Sequence, residues 1–308
     1  MTYDGNINGY GKQGGASSRI ERKLLWALGI TIVIFIVEIV GGFLSNSLAL
    51  KSDAGHLFGD VMALGLSLLA VHISRRPASP RRTFGYHRAE VFAAIINGLT
   101  LTFLSGFIFL EAYHRILNPQ PIKSVMMFVV AVIGLAGNGV VILRLRGHAR
   151  DNLNVRAAFL HILGDMLASV GVVVGGLIML FTRNYLVDPI ISFFVGGIIL
   201  FGAISVLKEG ANILLEGAPG HIDYGKLKAD IESIEGVRSV HDLHIWTISS
   251  SKLVLSVHIK VSDQSTHDSQ HILKTVTGFL KEKYKIHHAT LQIECECCTE
   301  IDCGCAVL

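Results

Sequence analysis

Cysteine is missing from the first 294 residues, and all five thiols fall within the last fourteen, so no disulfide can staple the long N-terminal part of the chain. In a reduced compartment, such a cluster either binds a soft metal or has no dedicated use. Charge is scarce as well, 17% of 308 residues against 51% hydrophobic, and the mean hydropathy of +0.52 lies well above that of a soluble domain of this length. A wholly soluble globular protein is thereby excluded. The opening stretch MTYDGNINGYGKQGGASS holds no apolar run, which excludes a secretory signal core there. Residues 1–22 are expected to form a disordered cytosolic tail.

What is present is a set of long apolar runs, followed after Glu216 by a segment with the charge density of a soluble domain. A membrane span needs about 20 mainly apolar residues, and six segments qualify, near 24–44, 47–73, 89–117, 122–145, 154–182 and 187–209. The basic residues gather in RIERK before the first span, SRRPASPRR between the second and third, and RLRGHARDNLNVR between the fourth and fifth. The alternate loops SNS, NPQPIK and TRNYLVDP hold few. The positive-inside rule then places both termini in the cytosol. The expected organisation is a membrane domain over 23–215, a cytosolic domain over 216–294 and a Cys-rich tail over 295–308.

An acidic side chain at bilayer depth costs at least about 2.5 kcal/mol, so each one needs a reason. The second span carries Asp53, His56 and Asp60, and the fifth carries His161 and Asp165, written HLFGD and HILGD. Four residues turn a helix through about 400°, so the His and Asp of each pair share a face, displaced by about 6 Å along the axis. The two spans run in opposite directions, which brings His56 level with Asp165 and Asp60 level with His161. Two imidazoles and two carboxylates match the ligand set and tetrahedral count that zinc takes, and suit Mg²⁺ or Ca²⁺ poorly. The glycine before each Asp leaves room for close helix approach or for hydrated metal. Asp53 is read as a solvated group near the interface, the alternative being ion guidance at the outer mouth. Glu38 and Asn138 are read as hydrogen-bonders between helices.

With these residues in view, the chain resembles the cation diffusion facilitator family, zinc-transporting branch, and is similar to bacterial zinc exporters. The resemblance rests on SLALKSDAGHLFGD, TFGYHRAEV, NLNVRAAFLHILGD, VDPIIS, LLEGAP, VHDLHIW and HHATLQIE, in that order, and covers nearly everything after residue 20. It implies a homodimer, six spans per protomer, a metal-binding cytosolic domain, and export of divalent metal in exchange for protons. It puts the transport ligands on His56, Asp60, His161 and Asp165, with His at the first position as in zinc-selective members. The metal is the cargo and a regulatory ligand, and protons are the coupling ion. A bacterial inner membrane is the expected location; the partners are lipid, divalent metal and a second copy, with no nucleic acid. The His-rich loop that many zinc members carry between spans four and five is reduced here to His148.

Beyond LLEGAP the pattern changes to helix, strand, strand, helix, strand, an α+β ferredoxin-like module. The resemblance points to His241, His258 and Glu294 as cytosolic metal ligands, with His271 as a further candidate. Strand alternation supports His258 and Glu294 on the face opposite Val257, Ile259, Leu291 and Ile293. It does not support His241, which shares parity with Leu243 and Ile245, so the choice between His241 and His244 stays open. Cys295, Cys297, Cys298, Cys303 and Cys305 form a soft-metal tail that could extend the site. By resemblance, His87 could pair with His287 or His288 at an interface.

Two other functions compete. A zinc-dependent membrane enzyme needs an open coordination position and a general base, typically H-E-x-x-H, and the chain has no such motif. A membrane-anchored metal sensor has no need of four ligands at bilayer depth. The expected protein is therefore a secondary active transporter.

Overall fold

The structure, a computed structural model, describes residues 10–74, 76–146, 153–249 and 252–295. Six long helices come first: α1 (Tyr10–Ser45), α2 (Leu48–Ser74), α3 (Ala89–Leu117), α4 (Ser124–Arg146), α5 (Leu153–Thr182) and α6 (Val187–Leu214). All six are long and apolar enough to cross a membrane. Phe103, Phe181 and Phe201 stand among the most exposed side chains, a distribution suited to hydrocarbon as the solvent. The chain is an integral, multi-pass membrane protein.

Helix α1 begins at Tyr10, inside the stretch expected to be disordered, while residues 1–9 lie outside the described residues. Each glycine in GKQGGASS weakens a helix by only about 1 kcal/mol, and once the apolar run has formed a nucleus, propagation can carry the helix backwards. Helix α6 likewise runs on to Leu214, past the 209 expected.

The chain divides into two compact units, Met1–Gly65 with Asn97–Ile204, and Leu66–Ile96 with Ser205–Leu308. The core of the first is built from Ala49 and Leu50 of α2, Ile108 of α3, Met127 and Ala131 of α4, Val172 and Met179 of α5, and Val195 and Ile199 of α6. Its α1–α2 turn is tight: Asn46 sits in the left-handed region at φ 59°, and Ser47 caps α2, its hydroxyl accepting from Leu50 N at 3.1 Å.

The second unit contains α7 (Tyr224–Glu232), β1 (Ser239–Ser249), β2 (Lys252–Lys260), α8 (Thr266–Tyr284) and β3 (His288–Glu294). This is the helix, strand, strand, helix, strand order read from the sequence. The sheet runs β1-β2-β3, with β1 and β2 antiparallel and β2 and β3 parallel. Both helices start on a side-chain cap, Asp223 accepting from Lys226 N and Ser265 from Asp268 N. Leu227 and Ile231 of α7 and Val276 and Leu280 of α8 pack on Leu255, Val257 and Ile259 of β2, all essentially without solvent exposure.

One polar tie joins the two helices. Asp230 of α7 accepts from Lys283 Nζ at 2.6 Å and from Tyr284 Oη at 2.5 Å. Those two donors hold its carboxyl below the ordinary carboxylate value. Burial, and then the bond to Asp230, push the Tyr284 phenol up from 10.0 to about 12. The folded state therefore favours ionised Asp230 and neutral Tyr284. The Asp230 contribution is present above the ordinary carboxylate range and is lost as pH falls through its lowered value. The Tyr284 contribution is complete below pH 10.0 and is lost as pH rises through about 12. Asp230→Asn should lower the melting temperature at neutral pH and flatten both limbs of the stability–pH curve. Melts across the pH range check this, and an unchanged curve contradicts it.

Candidate metal centres

The unpaired polar groups at the start of α2 decide where its ligands lie. The first N–H groups of a helix have no partner within it, and at membrane depth they must find one. Asp188, in the first turn of α6, supplies it: its carboxylate accepts from Ser47 Oγ at 2.5 Å, Leu48 N at 2.7 Å and Ala49 N at 3.2 Å. With Leu50 N on Ser47 Oγ and Lys51 N on Ser47 O, all four leading donors of α2 are satisfied. The carboxylate also complements the positive end of the helix dipole. Arg115 of α3 lies 3.8 Å from Asp188, donates to Asn46 O at 2.6 Å and Asn46 Oδ1 at 3.1 Å, and pairs with Glu111 at 2.8 Å. Sequence reasoning missed Asp188. An Asp followed by Pro at a helix start reads as that helix's own cap, whereas its partners lie 139 to 141 positions away.

From that fixed start, α2 carries His56 and Asp60 inward, eight and twelve residues on, a descent of about 12 and 18 Å. His56, Asp60 and Asp165 of α5 each offer a ligand atom within 4.8 Å of the others. His56 Nε2 lies 2.9 Å from Asp165 Oδ1, and Asp165 is 6% exposed. His161 lies one turn before Asp165 on α5, but its side chain is outside the described residues. The two glycines differ. A Cβ at Gly59 would run into Leu101 of α3, so Gly59 permits close helix approach, whereas Gly164 borders open space. Two carboxylates and an imidazole at this depth can hold a divalent cation of borderline softness.

The surrounding polar groups correct two expectations. Asp53 is not solvated: it is 3% exposed and accepts from Ser169 Oγ of α5 at 3.0 Å, because its face of α2 packs inward. Glu38 is fully buried, yet neither carboxylate oxygen has a hydrogen-bond partner among the described residues, and the same holds for Asn138 Nδ2. Neither is the interhelical hydrogen-bonder expected there. Glu38 Oε1 is packed against Gly134 of α4, whose missing Cβ leaves it room.

In the second unit, His241, His258 and Glu294 form a second cluster with ligand atoms within 4.8 Å of one another. His241 Nε2 is 3.0 Å from Glu294 Oε2, and His258 Nδ1 is 2.8 Å from Glu294 Oε1. The parity objection to His241 is answered by a bulge. The register of β1 on β2 shifts between His241 and His244, with Asp242 at φ 49°. Val240, Leu243 and Ile245 are all buried, so the alternation breaks at the bulge and His241 comes to the ligand face. Asp242 lies 2.9 Å from exposed His244 and 3.5 Å from His258 Nε2, so it can orient the His258 ring. His271, on the exposed side of α8, is not in this cluster. Cys295 follows Glu294 and is exposed, while Cys297, Cys298, Cys303 and Cys305 lie outside the described residues, as does His148.

His87, His287 and His288 line one cavity. His87 Nε2 lies 2.7 Å from the Lys252 ammonium, a neighbour that opposes a metal cation.

Residues 24–215 match the model of the cation efflux transmembrane domain, and residues 219–296 match that of the cation efflux protein cytoplasmic domain. The zinc transporter ZitB of Escherichia coli is 42% identical over 284 residues, covering 92% of this chain and 90% of its own. A cadmium, cobalt and zinc/H(+)-K(+) antiporter of Bacillus subtilis is 38% identical over 291 residues, 94% of this chain and 92% of its own. Among solved structures, the metal-bound C-terminal domain of the CzcD transporter from Cuprividus metallidurans is 34% identical, over 24% of this chain and 99% of that one, at a TM-score of 0.22.

Removing the Asp188 carboxylate strands two backbone N–H groups and Ser47 at the head of α2. At about 1–3 kcal/mol for each buried donor left unpaired, Asp188→Ala should destabilise the protein by at least about 3 kcal/mol, read as a lowered melting temperature in detergent. Wild-type stability in this variant would show that the cap is dispensable.

Proposed function

The chain belongs to the cation efflux family of membrane transporters and is not an enzyme, and on that premise we propose that it exports zinc from the cytosol in exchange for protons through His56, Asp60, His161 and Asp165. The observation that carries this reading is the meeting of His56, Asp60 and Asp165 between two membrane-spanning helices. His161 joins the set on the i, i+4 spacing that it shares with Asp165. The names of the bacterial relatives, a zinc transporter and a cadmium, cobalt and zinc/H(+)-K(+) antiporter, include the proposed cargo and the proposed coupling ion.

Zinc binds neutral imidazole and ionised carboxylate, so protons and metal compete for the same lone pairs. Facing the cytosol, the site loads zinc and sheds protons. Facing outward, where protons are more abundant, it takes them up and gives zinc away. Both termini lie in the cytosol, by the Lys/Arg content of alternate loops, and the membrane is a bacterial inner membrane. The protein works as a homodimer through the cytosolic domain. In that domain His241, His258 and Glu294, joined by Cys295 and the thiols after it, hold regulatory zinc. His87 and His287 are left out of the metal sites, because Lys252 stands against His87.

Zinc uptake by proteoliposomes under an imposed pH gradient tests the proposal. Wild-type protein should accumulate zinc only while the gradient lasts, and Asp165→Ala or Asp60→Ala should lower the rate at least about 100-fold, since loss of a ligand exceeds the 10–100-fold cost of losing a residue that merely orients one. Near-wild-type flux from either variant would sink the assignment.

A second expectation concerns selectivity. His56→Asp replaces a borderline nitrogen donor with a hard oxygen and should admit cadmium or manganese beside zinc. Competition assays with an unchanged metal profile would rule that out.

A further inference from the structure

We propose that the second unit carries a binding site for an anionic phospholipid, with an acyl chain in an apolar groove and the phosphate in a basic cavity at its end. Leu66, Leu69 and Ile73 of α2, Phe92 and Ile96 of α3, and Trp246 of β1 line a groove of 780 Å³. Its walls are open to their surroundings: Leu69, Phe92 and Ile96 are each more than half exposed. Side chains of this kind on membrane helices are covered by hydrocarbon.

A second cavity of 620 Å³ adjoins the groove, and Phe84, Gly85, His87 and Ile248 line both. Arg76 and Lys252 line this cavity together with His287 and His288, and no Asp or Glu does so among the described residues. It lies beside the loop that follows the end of α2 at Ser74, where a membrane helix meets the headgroup layer. The acid that lines the groove, Glu216, is already paired to Arg88 at 2.8 Å.

Two fixed positive charges beside an apolar trough complement a phosphate attached to a fatty chain. A zwitterionic headgroup would bring its ammonium into a cavity with no carboxylate to receive it. A free phosphate ion would use the cavity and leave the groove unexplained. The continuity of the two spaces therefore commits the site to a lipid.

Trp246 lies in the groove and reports on its occupant. The chain has two tryptophans, so in full-length Trp26→Phe protein the emission comes from Trp246 alone, and bilayers of brominated phosphatidylglycerol or brominated phosphatidylcholine quench it only when a chain sits close. Phosphatidylglycerol should quench with an apparent affinity several-fold to about tenfold higher. Adding Arg76→Ala with Lys252→Ala should bring the ratio to about one, while Arg76→Lys with Lys252→Arg should keep it. Lys281→Ala, which removes an exposed charge of α8, should also keep it. Equal quenching by the two lipids overturns the proposal, as does an equal loss in Lys281→Ala, which would reduce the preference to general surface charge. Loss of the preference on adding inorganic phosphate would make the cavity an ion site. Absence of quenching by either lipid would mean that a second copy of the chain covers the groove.

Discussion

A carboxylate at bilayer depth is too costly to leave without partners, and most of this membrane domain can be understood from how it meets that constraint. Asp188 is met by the head of α2, Asp53 by Ser169 and Asp165 by His56. Each of these solutions joins two helices that are far apart in sequence. Each tie holds its two helices to one another at a fixed level. Glu38 is the exception, buried against Gly134 with no donor among the described residues.

The Asp188 cap and the metal ligands form a single mechanical chain. The cap fixes where α2 begins, the helical rise fixes the depth of His56 and Asp60, and Asp165 meets them from α5. A transporter must change the access of such a site without scattering its ligands. Helices held at their ends by buried polar ties can move as rigid rods, and in that arrangement site geometry can survive the motion. The cytosolic cluster has different chemistry. His241, His258 and Glu294 sit on adjacent strands of a packed sheet, and the sequence runs on from Glu294 into five cysteines, whose thiolates hold zinc tightly and release it slowly. Slow release fits a regulatory ion and would stall a cargo ion.

Much of this was legible in one sequence, for reasons specific to each feature. The six spans read correctly because hydropathy over about 20 residues is a strong local signal. His56, Asp60 and Asp165 stood out because polar groups at that depth are rare. What failed were long-range and single-residue effects. The service of Asp188 to a helix about 140 residues away leaves no trace in its neighbours. The bulge at Asp242 adds one residue to β1, and a parity count that assumes strict alternation then puts His241 on the wrong face. Asp53 was misplaced because its depth says nothing about which way it points. The helical start at Tyr10 was hidden by glycines, whose cost a long helix can absorb.

The coordination shell of the cargo ion tests directly whether His56, Asp60, His161 and Asp165 hold it together. Zinc-edge X-ray absorption would be recorded on full-length protein carrying His241→Ala and His258→Ala and with all five cysteines replaced by serine, so that only the membrane site contributes. Four nitrogen or oxygen neighbours are expected at about 2.0–2.2 Å, with the outer-shell scattering of two imidazoles, reduced to one in His161→Ala. A six-oxygen shell, or a spectrum that His161→Ala leaves unchanged, would contradict that ligand set.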